Sequence, residues 1–366
     1  MAVPLIDLHR QYAAIKDKLD KAVINVLEHG QFILGPEVAQ LESKIAALCG
    51  VRFGVGVASG TDALLLALRA AGIEPCDEVI TPDFSFFATA GVVSRLKAKP
   101  VLVDIEGDTY NIDPSLIEKA ITSKTKAIMP VHLFGQLADM DSIMQLAKKH
   151  NLIVIEDAAQ AIGASYKGHQ AGSIGHYGCF SFFPTKNLGG AGDGGMIVLN
   201  DIDGYEFLKI LRVHGSSPKY YNRVIGYNSR LATIQAAVLL VKLEYLSGWT
   251  EKRREHAKIY DAALMGAQIK IPVVKDYSYH IYNQYTIAVK NRYELMRVMK
   301  EKKIGHEIYY PIPFHKQDCF NDLGYKNGDF PITEKASNEV VSLPIYPELT
   351  QEEQEKVIEV VKSVSM

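Results

Sequence analysis

The segment SFFPTKNLGGAGDGG, residues 181–195, sets one lysine between an apolar run and five glycines. Glycine lacks Cβ, so such a backbone can come close to a ligand. Lys186, just after Pro184, carries an amine that becomes a nucleophile or a base once it is desolvated. Taken alone, a loop lysine is more often a solvated surface residue.

Three other groups have the residue types that amine chemistry needs. Ser59-Gly60-Thr61 stands at a strand-to-helix junction, where free N–H groups and the helix dipole favour phosphate. Read alone, Ser59 or Thr61 is an ordinary N-cap. Asp157 ends the run LIVIED beside Glu156. Neighbours on a strand point to opposite faces, so one of the two enters the site and the other pairs elsewhere. Phe84, Phe86 and Phe87 in DFSFFAT fall at another strand end, and core packing accounts for two of the three. Amine, carboxylate, phosphate cup and aromatic face are together what pyridoxal 5′-phosphate requires. A carboxylate ~4 Å from its pyridinium nitrogen would favour the charged ring by about 4 kcal/mol at an effective dielectric of ~20.

The glycines have a competing reading. GAGDGG, residues 190–195, fits G-x-G-x-x-G, but strand-like MIVLN follows it where a dinucleotide fingerprint opens a helix. A Rossmann site is set aside on that ground, and the sequence contains no Walker G-K-[ST].

The elements that must position these groups alternate from Arg52 onward. RFGVGVAS, DEVITP, KPVLVDI, KAIMPVHLF and LIVIED read as strands. GTDALLLALRAAG, FFATAGVVSRL, PSLIEKAI and DMDSIMQLAKKH between them read as helices. Short apolar strands alternating with helices predict an α/β chain whose mostly parallel sheet is covered on both faces. Ligands of such sheets bind at the carboxyl ends of the strands. Near HYGCFSFF the alternation stops. That run and GGMIVLN read as two strands with only the lysine-glycine segment between them. A long helical region follows, and the composition changes after Gly266. The sequence predicts a large domain over residues 1–250 and a smaller C-terminal α+β domain over 251–366.

Composition excludes several classes. The 366 residues are 48% hydrophobic, enough for a large core, and the net charge of −2 gives no case for nucleic acid or an anionic membrane. Lys252-Arg253-Arg254 is followed by Glu255 and reads as a solvated helix face. Cys49, Cys76, Cys179 and Cys319 are far apart, which argues against a metal knuckle or a disulfide scaffold. The start MAVPLIDLHRQY has no apolar h-region, and no run approaches the ~20 apolar residues of a membrane span. A soluble, cytoplasmic protein without a metal is expected.

The motifs VASGTDALLLAL, VITPDFSFFATA, IEDAAQAIGASYKG, SFFPTKNLGGAGDGG, GYNSRLATIQAAVL and YYPIPFHKQ, in this order, resemble those of the DegT/DnrJ/StrS sugar aminotransferases. The likeness runs from PLIDLHRQY nearly to the C-terminus. It implies the PLP-dependent transferase fold of aspartate aminotransferase type I, with a seven-stranded central sheet. It implies that Lys186 attaches pyridoxal 5′-phosphate, that Asp157 partners the pyridinium nitrogen, and that Gln160 neighbours the ring hydroxyl. Ser59, Gly60, Thr61 and Ser181 match the phosphate cup, and Phe86 matches the stacking position. Asn228 matches a residue that reaches the phosphate from the other subunit of a homodimer. Related dehydratases carry histidine where Lys186 stands, so the lysine implies transamination.

The usual amino donor of that family is glutamate, and the acceptor is a keto group on a nucleotide-linked sugar. RVIGYNSRLATIQAAVLLVKLE and YYPIPFHKQ resemble enzymes that aminate C3 of UDP-linked 3-keto-N-acetylhexoses or hexuronates for cell-surface polysaccharides. A dTDP-3-keto-6-deoxyhexose is the alternative acceptor, and a cofactor-binding regulator without turnover is the alternative of another class. Arg230, Tyr310 and His315 are candidate substrate contacts, and Lys316 and Arg223 are weaker ones for an anionic group.

Overall fold

The computed structural model describes residues 2–365. Runs in which nearly every position is apolar must be covered on both faces, and they form one central sheet. Its strands are Phe53–Val57 (β1), Glu78–Pro82 (β2), Lys99–Val103 (β3), Thr125–Ile128 (β4), Ile153–Asp157 (β5), Tyr177–Ser181 (β6) and Gly195–Leu199 (β7). Their order is β1-β7-β6-β5-β4-β2-β3. The pairs from β6 to β3 are parallel, whereas β7 is antiparallel to both β1 and β6. The reversal explains the break in the alternation. Residues 182–194 return directly from β6 to β7, and an antiparallel return needs no crossover helix. Lys186 lies on that return.

Helices α1 (Leu8–His29) and α2 (Pro36–Cys49) precede β1. The crossovers between parallel strands are α3 (Gly60–Ala70), α4 (Ala88–Arg95), α5 (Pro114–Ala120) and α6 (Met140–His150), and α7 (Ile202–Leu211) follows β7. Alternation along the strands divides the core into two layers. Val154, Phe180 and Val198 pack with Leu41 and Ile45 of α2. Ile155, Cys179 and Ile197 pack with Leu65, Leu66 and Leu68 of α3. Each such side chain stabilises the fold by about 1.5–3 kcal/mol when fully buried, so a one-residue slip of register is heavily penalised.

The long helical region resolves into α8 (Thr233–Leu243) and α9 (Leu246–Leu264), broken at Glu244–Tyr245, where Tyr245 stacks on Trp249 at 5.7 Å. Beyond it, β8 (Ile269–Lys270), β9 (Tyr285–Val289) and β10 (Val340–Leu343) form an antiparallel sheet. Helices α10 (Arg292–Glu301), α11 (Pro331–Glu339) and α12 (Gln351–Ser365) accompany it. Tyr260 of α9, Tyr285, Ile287, Val341 and Val361 share its core, and Val3 joins them from the other end of the chain. Val3 bridges Ile304 in parallel, its N–H donating to the Lys303 carbonyl at 2.9 Å. HEIYYP makes only the isolated bridge Glu307–Ser342 there. Residues 250 and 251, where the sequence predicts a domain boundary, both lie inside α9.

No helix among the described residues is long and apolar enough to cross a membrane. No group of three or more His, Cys, Asp or Glu among them is arranged to hold a metal ion.

Candidate active site

The carboxyl ends of β1, β5 and β6 and the start of β7 carry the chemistry-bearing residues. Gly60 opens α3 hard against the end of β6: a Cβ there would stand 2.6 Å from the Cβ of Ser181. A Cβ on Gly195 would stand 2.3 Å from the Ser59 carbonyl oxygen. Only bare backbone lets these three segments crowd together. Ser59 is the N-cap of α3, its Oγ accepting from the Asp62 N–H at 3.1 Å. The first N–H groups of a helix have no partner within it, and with the helix dipole they form an anion cradle. Thr61 is half-buried in that first turn, and Ser181, whose Oγ accepts from the Phe183 N–H at 3.3 Å, borders it.

The adjacent carboxylates at the end of β5 divide as alternation requires. Glu156 is fully buried and committed. Its Oε2 bonds His132 Nε2 and the Gly172 N–H, each at 2.8 Å, while Oε1 accepts from Ile174 N–H at 2.8 Å and Gly175 N–H at 2.5 Å. Asp157 faces the other way. Its Oδ2 accepts from the Thr89 hydroxyl at 2.8 Å and its Oδ1 from the Ala159 N–H at 3.2 Å. Ser85 Oγ lies 2.9 Å from Thr89 Oγ1 and steadies that hydroxyl. Burial pushes the Asp157 carboxyl above its ordinary range, and the Thr89 bond, the Ala159 bond and the charge of Lys186 oppose this.

Lys186 closes a tight turn in which its N–H donates to the Phe183 carbonyl at 2.9 Å. A Cβ on Gly189 would stand 2.2 Å from the Pro184 carbonyl oxygen, so glycine is needed to close that turn. The residue is half-buried, but its amine lies deep enough that desolvation lowers it to about 8, against the pull of Asp157. Among the described residues nothing hydrogen-bonds or ion-pairs with its Nζ.

Gln160 and Tyr310 make a second wall. Gln160 Oε1 accepts from the Phe134 N–H at 2.7 Å, and its Nε2 donates to the Tyr310 hydroxyl at 3.0 Å. Burial raises the Tyr310 hydroxyl, which keeps its proton. The three phenylalanines separate: Phe84 is core, Phe87 stacks on Phe320 at 5.6 Å, and Phe86 is 57% exposed with its ring 6.3 Å from that of Tyr310.

The remaining candidates lie differently. Asn228 is exposed, its backbone bridged to Val213. Arg230 is half-buried next to Ser229, whose hydroxyl accepts from the Ala58 N–H at 3.2 Å. Arg230 therefore sits by the end of β1, without a charged partner among the described residues. Arg223 donates through Nε to the Ser217 carbonyl in an exposed loop. His315 is buried, with Nδ1 on Asp83 and Nε2 3.4 Å from Glu334, and Lys316 pairs with Glu334 at 2.9 Å. These two close the segment after Tyr310 onto the end of β2. The groove of about 700 Å³ between Tyr110, Lys270 and Ile332 is lined by none of the candidate site residues.

Sequence reasoning missed Thr89, Ser85 and His132. Thr89 lies in the first turn of α4 and Ser85 in the bend before it, so no single-element spacing links them in the sequence.

The residues present fit pyridoxal 5′-phosphate: an uncommitted desolvated amine, a buried carboxylate within its field, a glycine cradle at a helix start and an exposed ring. Fold and groups together are those of a PLP-dependent transferase. The chain belongs to the DegT/DnrJ/EryC1/StrS aminotransferase family, whose model matches residues 13–362. Pyridoxal 5′-phosphate is that family's cofactor, and the chain is a sugar aminotransferase by membership. It is 51% identical to the "pleiotropic regulatory protein" of Geobacillus stearothermophilus, over 98% of this chain and 97% of that one. It is 45% identical to a dTDP-3-amino-3,6-dideoxy-α-D-galactopyranose transaminase of Aneurinibacillus thermoaerophilus, over 98% of both. It is 44% identical to a UDP-N-acetyl-3-dehydro-α-D-glucosamine 3-aminotransferase of Acidithiobacillus ferrooxidans, over 99% of this chain and 97% of that one. The solved structure of S. venezuelae DesV with a ketimine intermediate superposes with a TM-score of 0.97 at 40% identity, covering 100% of this chain and 98% of that one.

Proposed function

We propose that the protein moves an amino group from glutamate to the C3 keto group of a UDP-linked 3-keto-N-acetylhexose or hexuronate, in the cytoplasm, for cell-surface polysaccharide synthesis. The observation that carries the transfer chemistry is the desolvated, unpartnered amine of Lys186 in the field of buried Asp157. The UDP-linked acceptor is supported by the Acidithiobacillus relative and by the segments at 223–244 and 309–317.

Bound pyridoxal 5′-phosphate supplies an electron sink for negative charge developing at the donor's Cα. Lys186 is the residue that attaches it, and its neutral amine, favoured by burial, takes and returns the proton at the substrate carbon. Asp157, fixed by Thr89 and the Ala159 N–H, would pair its charge with the ring nitrogen of the bound cofactor. Ser59, Gly60, Thr61 and Ser181 supply donors for the phosphate, and Phe86 supplies an open ring face. Gln160, fixed by the Phe134 N–H and bonded to Tyr310, would hold the bound ring's hydroxyl side. Arg230 serves the anionic groups that donor and acceptor both bring.

Exposed Phe32, Ile33, Phe183, Tyr220, Tyr221 and Ile225 favour a homodimer in which Asn228 of one protomer completes its partner's site. Lys186→Ala and Asn228→Asp chains, each inactive, would then recover activity when subunits are exchanged.

The deciding assay offers glutamate with UDP-linked 3-keto-N-acetylhexose, its hexuronate and dTDP-3-keto-6-deoxyglucose. Amination of a UDP-linked sugar is expected. Turnover of the dTDP sugar alone would hand the acceptor to the reading that the Aneurinibacillus relative favours. A regulatory reading is favoured by the Geobacillus relative, and it predicts a yellow protein that glutamate does not bleach.

A further inference from the structure

The Lys186 loop is not held by its own strands alone. Asn187, the next residue, is buried, and its side chain meets a strap formed by residues 280–284. Its Nδ2 donates to the Ile281 carbonyl at 3.1 Å, and its Oδ1 accepts from Asn283 Nδ2 at 2.7 Å. The same strap reaches the opposite wall of the site. The Ile281 N–H donates to the Gly135 carbonyl at 3.1 Å and the Asn283 N–H to the Phe134 carbonyl at 2.9 Å. The Phe134 N–H donates to Gln160, and Gln160 to Tyr310. A continuous series of bonds thus joins the residue beside the amine to Gln160 and Tyr310 without passing through the sheet.

Two features show that this contact is built in. Gly135 has φ +103°, and a Cβ there would stand 2.8 Å from the Ile281 side chain and 3.0 Å from the Asn283 nitrogen. Behind the strap, buried Arg253 of α9 donates through Nη1 to the carbonyls of Tyr282, Asn283 and Ile345 at 3.1, 3.4 and 2.7 Å. Asn283 Oδ1 is itself buried and has no hydrogen-bond partner among the described residues. A half-satisfied buried amide costs stability, which suits a residue kept for where it places its neighbour.

We propose that Asn283 is a positioning residue for the transfer reaction: through Asn187 it sets the pitch of the Lys186 turn against Gln160 and Tyr310. This rests on Lys186 being the attachment lysine. A misplacement of ~1 Å between reacting groups costs up to about a hundredfold in rate, so a tether remote from the reacting atoms can govern turnover.

The test compares the holoenzymes of Asn283→Ala, Asn283→Ser, Asn187→Ala and the Asn187→Ala/Asn283→Ala double variant. Each is measured for kcat, KM for glutamate, Tm, affinity of the apo-protein for pyridoxamine 5′-phosphate, and the pH midpoint of the bound cofactor's visible band. Each single variant is expected to lose about tenfold or more in kcat, with KM and pyridoxamine 5′-phosphate affinity held within about threefold. The spectral midpoint should move, and the double variant should be no worse than the worse single, because the two residues share one bond. Asn283→Ser carries the measurement if the alanine variant does not fold. Wild-type kcat and an unmoved midpoint beside a lowered Tm would overturn the proposal, as would additive losses in the double variant. Borohydride trapping and peptide mapping of the wild type separate the two failures. A label away from Lys186 sinks the underlying reading, while a label on Lys186 beside unchanged Asn283 variants sinks only this one.

Discussion

Two lysines with desolvated amines adjoin the glycine-rich loop, and their surroundings differ in one respect. Burial pushes both amines below the ordinary lysine range. Lys242 of α8 donates to the Gly189 carbonyl at 2.8 Å and pins the loop where the Lys186 turn closes. Lys186 has no such bond among the described residues. A buried cation with a fixed acceptor holds structure in place. A buried amine without one is an available base and nucleophile. Depressed basicity alone does not distinguish the two, whereas hydrogen-bond commitment does.

The comparison breaks most severely at Lys186. Lys186→Ala should lose about 10³-fold or more in transamination, since attachment and proton transfer both depend on that amine. Single-turnover absorbance with glutamate measures it. Residual turnover within tenfold of wild type would remove Lys186 from the chemistry. Next comes its electrostatic partner. Asp157→Asn should keep the fold and lose about 10²–10³-fold in kcat, the rate equivalent of roughly 3–4 kcal/mol of charge interaction. Steady-state kinetics with a matched Tm check it, and near-normal kcat would make Asp157 structural.

Lys242→Met should act on stability instead. It leaves the Gly189 carbonyl without its donor, at a cost of about 1–3 kcal/mol in denaturant unfolding, with kcat reduced less than about tenfold. A loss of activity matching that of Lys186→Ala at unchanged stability would erase the distinction between the two lysines.

The smallest effect is the dependence on pH. Lys186 is neutral above about 8 in the folded apo-protein, while an ordinary lysine keeps its proton to 10.5. Capture of pyridoxal 5′-phosphate should therefore accelerate as pH rises through about 8 and level off above it, as stopped-flow absorbance would record. Between those values the unfolded chain binds more protons, so wild-type apo stability rises with pH there relative to Lys186→Met. A capture midpoint near 10.5 would mean that the amine is solvated.

Much of the sheet could be read in the sequence because its strands are short apolar runs set off by helices. Lys186 and Asp157 stood out as candidates for a related reason: a polar group at or just beyond the end of an apolar strand has few neighbours in sequence to satisfy it, and the motif likeness gave each a role. Strand alternation left the choice between Glu156 and Asp157 open, and only the motif likeness pointed to Asp157. The physical ground for that choice was not in the sequence. It depends on His132 and on the backbone N–H groups of Gly172, Ile174 and Gly175, which reach Glu156 only in the fold. Thr89, Asn283 and Gly135 were hidden for the same reason, since each acts on a partner far along the chain. For His315, the motif makes it a candidate substrate contact, while its ion-pair partners Asp83 and Glu334 come from distant segments that the sequence does not bring together.

The pairing of Val3 with Ile304 bears on how the chain is made. Residues 3–5 leave the ribosome about 300 residues before the segment that receives them, so non-local closure of the second core waits for late synthesis. A fragment begun at residue 246, the start of α9, would carry the small sheet but lack Val3, and the close backbone contact of Gly305 with Leu5 would be left open. Such a fragment should express as a loosened lobe, and supplying residues 2–30 as a separate peptide is the natural way to restore its packing.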